Sequence, residues 1–354
     1  MSGVDQPVVI ANSNYHVGQE RSWRAAEEQG FVKEEGLDRY VYQAGGLIPG
    51  KCEFHQLARQ MWERGVDIVT AVDARAAVLQ RARGGDVYIV GGWRSTLEGK
   101  IVGAKGMTRP EELKGSKSVT RETWGLAHIG IATALRRFGV GYDDVEWIEG
   151  IVDFEAEERG TDLLRSGEVT FVTVNGREAD RLIEEGYPLL LNLGEFYRGL
   201  GGWPPGKVIV TTKQMIDERG EELRAFLRAS LRGFWFTQDL NNHSFMYDLE
   251  TRLRLTTYNE YERRIRMLAD PTPPPPRKGP TTMGSMVMDG FVPRDMLVRM
   301  IDDMVQFGDL DRPIDVDEVL KEQPSIDAFE NLVKRGLVDM QVLDGWRSVT
   351  YGKV

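Results

Sequence analysis

The sequence predicts a two-lobed α/β fold, and three observations carry that expectation. Short apolar runs that read as buried strands alternate with amphipathic helical stretches along most of the chain. Several of those runs end in polar or glycine-containing loops, which is where open α/β sheets place their ligands. With 354 residues and 41% hydrophobic content, the chain can also bury a large core and divide in two.

Taken in order, Val8 to Ala11 reads as a buried strand ending in the polar loop Asn12, Ser13, Asn14, Tyr15, His16, before a helix from Gly18 to Gln29. Asp38 to Gln43 is a second strand with Tyr40 and Tyr42 alternating, and Glu53 to Gly65 is a helix with Phe54, Leu57, Met61 and Trp62 on its core face. Val66 to Thr70 (strand) and the alanine-rich helix Ala74 to Arg83 lead to the strand Val87 to Val90, which ends in Gly91, Gly92, Trp93, Arg94, Ser95. Two glycines let backbone approach a ligand closely, and an aromatic beside an arginine offers a stacking face and a bidentate partner for a carboxylate. Lys100 to Ala104 then carries the chain into a second lobe.

That lobe centres on Glu111 to Val140. A short helix (Pro110 to Leu113) and a β-rich run (Lys117 to Arg121) lead through a loop into a helix with Ala127, Ile131, Ala134, Leu135 and Phe138 on one face. The first N–H groups of such a helix make a seat for an anionic group. There follow strand Val145 to Glu149, helix Phe154 to Ser166, strand Val169 to Val174 with Asn175 at its end, helix Arg177 to Glu185 and strand Pro188 to Leu193. A rigid Gly201 to Pro205 turn containing Trp203 precedes the return strand Lys207 to Thr212. The expected division is thus residues 1–100 with 207–354, the latter carrying a C-terminal helical extension, against 101–206; two crossings permit hinge closure over a ligand. Beyond lie helices Glu221 to Asp239, Tyr258 to Leu268, Pro293 to Phe307 and Ile326 to Arg335. The proline-rich Pro271 to Pro280 reads as extended, and the tail Val338 to Val354 has turn and strand character.

The motif "LKG" at Leu113 to Gly115, with its strand, polar loop and helix, resembles the second lobe of type II periplasmic binding proteins, in the branch of nitrate, sulfonate and taurine receptors and thiamine-pyrimidine-synthase relatives. Asp162 to Thr173 (DLLRSGEVTFVT) and Lys207 to Leu231 fit the same pattern, which spans Pro7 to Leu240. The resemblance implies a two-lobed periplasmic-binding-protein fold with a ligand cleft, and a binding protein for an anionic, aromatic or carboxylate/sulfonate ligand. It places Thr123 where the family presents a small hydroxyl residue to an oxyanion, with the bulkier Trp124 departing from the usual small residues. It extends to cytoplasmic cofactor-free lyases, namely aromatic-acid decarboxylases and a desulfinase. In that second reading Arg94 holds a substrate carboxylate and His16 or His128 donates a proton. The ligand-binding expectation covers Asn14, Tyr15, His16, Gly92, Trp93, Arg94, Thr123, Trp124, Asn175 and Trp203.

A net charge of -10 argues against a nucleic-acid surface, and no apolar run reaches the length of a membrane span. The single Cys52 rules out an internal disulfide or thiolate cluster, and its i, i+3 neighbour His55 lacks a third ligand; no metal or cofactor is expected. No P-loop, HExxH, nucleophile elbow or dinucleotide fingerprint occurs. The acids from Glu155 to Glu158 read as a solvated helix face. With Met1 as the native start, the N-terminus lacks a signal peptide and the expected location is cytoplasmic; after removal of a signal it is periplasmic or extracellular. A second copy of the chain stays open as a partner.

Overall fold

The computed structural model describes residues 6–12, 17–43, 61, 64–94, 99–119, 126–148, 153–174, 176–200, 205–252 and 289–350. Most of the expected helix at 53–65, and all of those at 258–268 and the proline segment 271–280, lie outside them. The chain forms two compact units, Met1–Ser95 with Pro204–Val354, and Thr96–Trp203.

The first unit begins with β1 (Val8–Asn12), α1 (Val17–Glu28), α2 (Phe31–Glu34), β2 (Tyr40–Gln43), β3 (Ile68–Asp73), α3 (Ala74–Ala82) and β4 (Tyr88–Arg94). β1 pairs in parallel with both β2 and β3. All six residues of β3 are buried, which is why its sequence, IVTAVD, shows no strict alternation of apolar and polar residues. Helix α3 starts where Asp73 caps it, the carboxylate accepting the Arg75 N–H at 2.8 Å. β4 runs on through Gly91 and Gly92 to Arg94, beyond the expected strand end at Val90.

In the second unit, β5 (Lys100–Gly103) is the centre of a three-stranded antiparallel sheet, between β8 (Phe171–Val174) and β9 (Leu189–Asn192). β6 (Ser116–Val119) and β7 (Val145–Ile148) form a parallel pair. The buried Ser118 hydroxyl ties that pair to β8 by donating to the Phe171 carbonyl at 2.8 Å. Around them pack α4 (Leu126–Arg136), α5 (Asp153–Ser166), α6 (Gly176–Glu184) and α7 (Leu193–Gly199). As the helical period predicts, α4 buries Ile131, Ala134 and Leu135, and Tyr197 of α7 donates its hydroxyl to the Gly130 carbonyl at 2.8 Å.

The chain then re-enters the first unit as β10 (Lys207–Thr211), which inserts antiparallel between β3 and β4 and completes the order β2-β1-β3-β10-β4. Val69 pairs with Val210 and Val72 with Val208, so Thr70 and Ala71 together face Ile209. This is a β-bulge, with Ala71 in the left-handed region at φ 59°. It resets the side-chain alternation: Val69 and Val72 enter one core cluster and Ile68 and Ala71 the other.

Helices α8 (Lys213–Glu218), α9 (Gly220–Gln238) and α13 (Gln323–Lys334) close one cluster and α11 (Arg294–Gln306) and α12 (Val316–Val319) the other, while α10 (His243–Arg252) packs on α1 and α14 (Met340–Thr350) on α9 and α13 in smaller clusters. α14 corrects the expected turn-and-strand tail; Asp339 caps it, accepting from the Gln341 and Val342 N–H groups at 3.0 and 3.1 Å. Helix α9 crosses α1 so closely that a Cβ on Gly233 would stand 2.2 Å from the Ser22 carbonyl oxygen. A second anchor is Glu35, just after α2. Its side chain is 1% exposed and accepts from Arg228 Nε (2.9 Å) and Arg232 Nη1 (2.5 Å) of α9 and from Arg335 Nη1 (2.6 Å) beyond α13.

Candidate functional site

Strand direction decides which loops of the first unit share an edge. β3 and β4 are both antiparallel to β10, so they point the same way, and β1 is parallel to β3. The carboxyl ends of β1, β3 and β4 therefore meet at one edge, together with the first residue of β10. The registers set the row: Asn12 lies beside Thr70, and Lys207 stands between Asp73 and Arg94.

Asn12, Thr70, Asp73 and Lys207 are all buried, Lys207 at 3% exposure. Buried carboxamide, hydroxyl, carboxylate and ammonium groups near one sheet edge are tolerated by interiors only when the polar groups are matched. The bulge contributes directly, since its extra residue turns the strand at Thr70 and Ala71 just before Asp73 opens α3. Such bends re-aim side chains at sheet rims and beside sites.

The amino edge of the same sheet is chemically closed. Asp67 accepts the Val9 N–H at 2.8 Å and faces Arg219 Nη1 at 3.5 Å, and the Arg219 Nη2 donates to the Gln6 carbonyl at 3.0 Å. Burial raises the Asp67 carboxyl above its usual range, against the opposing pull of the Val9 N–H and the Arg219 charge. The hydrogen bonds of Arg219 to Glu222 push its guanidinium upward. These ions bind strand starts to α9 and serve the fold.

Of the residues expected to form a site, Gly92, Trp93 and Arg94 fall in β4. The Gly92 N–H donates to the Gly290 carbonyl at 2.8 Å, and a Cβ on Gly91 would meet Ser325 Oγ at 2.8 Å. The close approach these glycines allow is thus made by the chain itself. The Trp93 indole is 6% exposed and lies in the core cluster with Ile209, Phe226 and Leu227. Arg94 ends β4, with its backbone paired to Lys207. His128 is in the first turn of α4. Asn14, Tyr15, His16, Thr123, Trp124, Asn175 and Trp203, like Cys52 and His55, lie outside the described residues. Residues 14–16 follow β1, 123–124 precede α4 and Asn175 follows β8.

Thr70, Asp73 and Lys207 were not singled out by the sequence reading. Asp73 carried a signal, an acidic residue directly before an apolar helix. Lys207 carried none, because a lysine opening a strand ordinarily marks a solvated end. Among the described residues no group of three or more His, Cys, Asp or Glu side chains could hold a metal ion, and no helix is long and apolar enough to cross a membrane.

Residues 23–240 match the family model described as NMT1/THI5 like. Among solved structures, a protein from Bordetella bronchiseptica RB50 superposes with a TM-score of 0.62 at 16% identity, covering 93% of this chain and 98% of that one. The periplasmic aliphatic sulphonate binding protein SsuA from Escherichia coli gives 0.58 at 12%, covering 90% and 92%. The desulfurization enzyme DSZB, in complex with biphenyl-2-sulfinic acid, gives 0.54 at 12%, covering 93% and 100%. No curated protein sequence matches the chain. At these identities the likeness is one of fold, the mixed α/β fold of periplasmic binding proteins that the sequence motifs led us to expect.

Proposed function

The chain belongs to the NMT1/THI5-like family, and we propose that it is a solute-binding protein for a small organic anion, a sulfonate or carboxylate with an aromatic body. The observation that carries the proposal is the register of Lys207 beside Arg94 at the carboxyl edge of the five-stranded sheet. A chain of net charge -10 repels anions at a distance, so recognition has to come from cations concentrated at one place. A guanidinium grips a carboxylate or sulfonate with two parallel hydrogen bonds, and an ammonium adds a point charge.

Asn14, Tyr15 and His16, which follow β1 in the sequence, are assigned polar and aromatic ligand contacts. Thr123, Trp124, Asn175 and Trp203 are assigned ligand contacts on the family resemblance. Gly92 and Trp93 support the Arg94 tip from within β4. Support for the anion class comes from the aliphatic sulphonates that the Escherichia coli protein is named for. In this role the protein works outside the cytoplasmic membrane, which cell fractionation tests.

The ligand is tested by isothermal titration against a panel of alkyl and aryl sulfonates and carboxylates, with native mass spectrometry of the protein as purified. The proposal expects at least one organic anion to bind, and Lys207→Met and Arg94→Ala each to weaken it at least tenfold. A panel with no binder and no retained anion overturns it.

One observation favours a second reading, the likeness to a desulfurization enzyme holding an aryl sulfinate. Here Arg94 holds the acid group while His16 or His128 protonates the carbon as its carbon–sulfur or carbon–carbon bond breaks. Incubation with aryl sulfinates and aromatic carboxylates would then release sulfite or carbon dioxide. In that case His16→Ala or His128→Ala removes turnover and leaves binding in place.

A further inference from the structure

Behind β4 the first unit holds a cavity of about 20 Å³, lined by Trp93, Ile209, Leu227, Ser230, Phe234 and Ser325. Its walls are largely hydrocarbon, with two exceptions that have no partner. Trp93 and Ser230 are 6% and 4% exposed, and neither the indole Nε1–H nor the Ser230 hydroxyl finds a hydrogen-bond partner among the described residues. The third polar side chain, Ser325, already donates its hydroxyl to the Val90 carbonyl.

We propose that this cavity is a specific internal water site, in which one water accepts from Trp93 Nε1–H and hydrogen-bonds with Ser230 Oγ. Size admits the ligand, since the cavity has room for a water molecule. Chemistry selects it. A dry apolar void would leave two buried polar groups without hydrogen bonds, a costly arrangement. A water, which both donates and accepts, satisfies an indole that can only donate and a hydroxyl that can do either. Its oxygen takes the indole proton, and one of its own protons goes to Ser230 Oγ or its second lone pair takes the serine proton.

The placement gives the water a task. Ser230 is on α9 and Trp93 is the penultimate residue of β4, so the bridge fixes the indole one residue before the Arg94 tip. The inference concerns the cavity alone and stands whatever ligand the sheet edge takes.

The sign of one substitution separates a hydrated from a dry cavity. With a bridging water, Ser230→Ala removes one of its partners and lowers the melting temperature by about 2–4 °C. With a dry cavity, the same change deletes an unmatched polar atom and leaves the melting temperature unchanged or raises it. A high-resolution crystal structure of the unsubstituted protein supplies the second readout, independent of how the variant folds. Solvent density within hydrogen-bond distance of both Nε1 and Oγ, with a destabilised Ser230→Ala, supports the proposal. An empty cavity, a water on only one of the two groups, or a variant as stable as the parent overturns it.

Discussion

Glu35→Gln removes one negative charge from the best-enclosed ion cluster of the first unit, and its effect can be worked from the geometry. Three guanidiniums contact the carboxylate at 2.5 to 2.9 Å. At charge-centre separations near 4 Å and an effective dielectric of about 20, each pair gains about 4 kcal/mol before desolvation. Two discounts apply. Arg335 is 39% exposed and so partly screened, while Arg228 and Arg232 keep the exposed Glu221 and Glu34 as second partners. What remains is the cost of leaving buried guanidiniums short of a counter-charge, about 3–5 kcal/mol. In urea, with a slope of about 2 kcal/mol/M, the transition of the first unit should move down by about 2 M, and that of the second unit should stay.

The acid limb of the same experiment has a defined sign. Burial alone pushes the Glu35 carboxyl up, but the hydrogen bonds from Arg335, Arg232 and Arg228 together outweigh it and hold the carboxyl below its ordinary 4.5. A lowered folded-state value stabilises the protein above the unfolded-state value, and that stability is lost as pH falls through the folded one. The gap between the parent and Glu35→Gln should therefore be constant near neutrality and close only below about pH 4. A variant within about 0.5 kcal/mol of the parent at neutral pH would refute the reasoning, since surface substitutions produce that much.

A contrasting carboxylate should behave otherwise. Burial raises the Asp289 carboxyl, a shift that its bonds to the Phe291 N–H and to Arg347 do not cancel. Ionising it costs stability as pH rises through that raised value, so Asp289→Asn should change neutral-pH stability by less than about 1 kcal/mol in urea unfolding. Gly233→Ala should cost about 3 kcal/mol or more, because backbone 2.2 Å away must move and α9 must lift off α1; a calorimetric scan checks it. Ala71→Val puts a β-branched residue at φ 59° inside a packed sheet and should lower the yield of folded protein sharply, as circular dichroism of the soluble fraction would show. Lys207→Met, which keeps the bulk of the lysine stem, should weaken anion binding at least tenfold in titration, with circular dichroism of the variant checking that the buried Asp73 left behind has not unfolded it.

The elements of the fold were largely legible because hydrophobic period and caps are local signals. Val8 to Ala11, the helix after Asp73 and the buried face of α4 needed only their own residues. The reading stopped where a partner strand decides. Gly91 and Gly92 look like a loop until β10 arrives to pair with them, and nothing near Thr70 announces that two residues will face Ile209. α14 was missed for a different reason: its β-branched Val342, Val349 and Thr350 disfavour helix, and the cap at Asp339 prevails. The candidate edge was half visible. Arg94 stands out as an arginine after an aromatic, whereas Lys207 becomes interesting only once the sheet order sets it beside Arg94.

The insertion of β10 also governs how this protein can be born. Translation delivers β1 to β4 first, then more than a hundred residues of another unit, and only afterwards the strand that separates β3 from β4. Until residue 211 clears the ribosome, the nascent first unit holds two apolar strands with open sides, templates for pairing with other chains. Chains that stall inside residues 96–203 should accordingly be sticky and quickly degraded, and a transplant joining residue 95 to residue 204 should spare the nascent chain that wait.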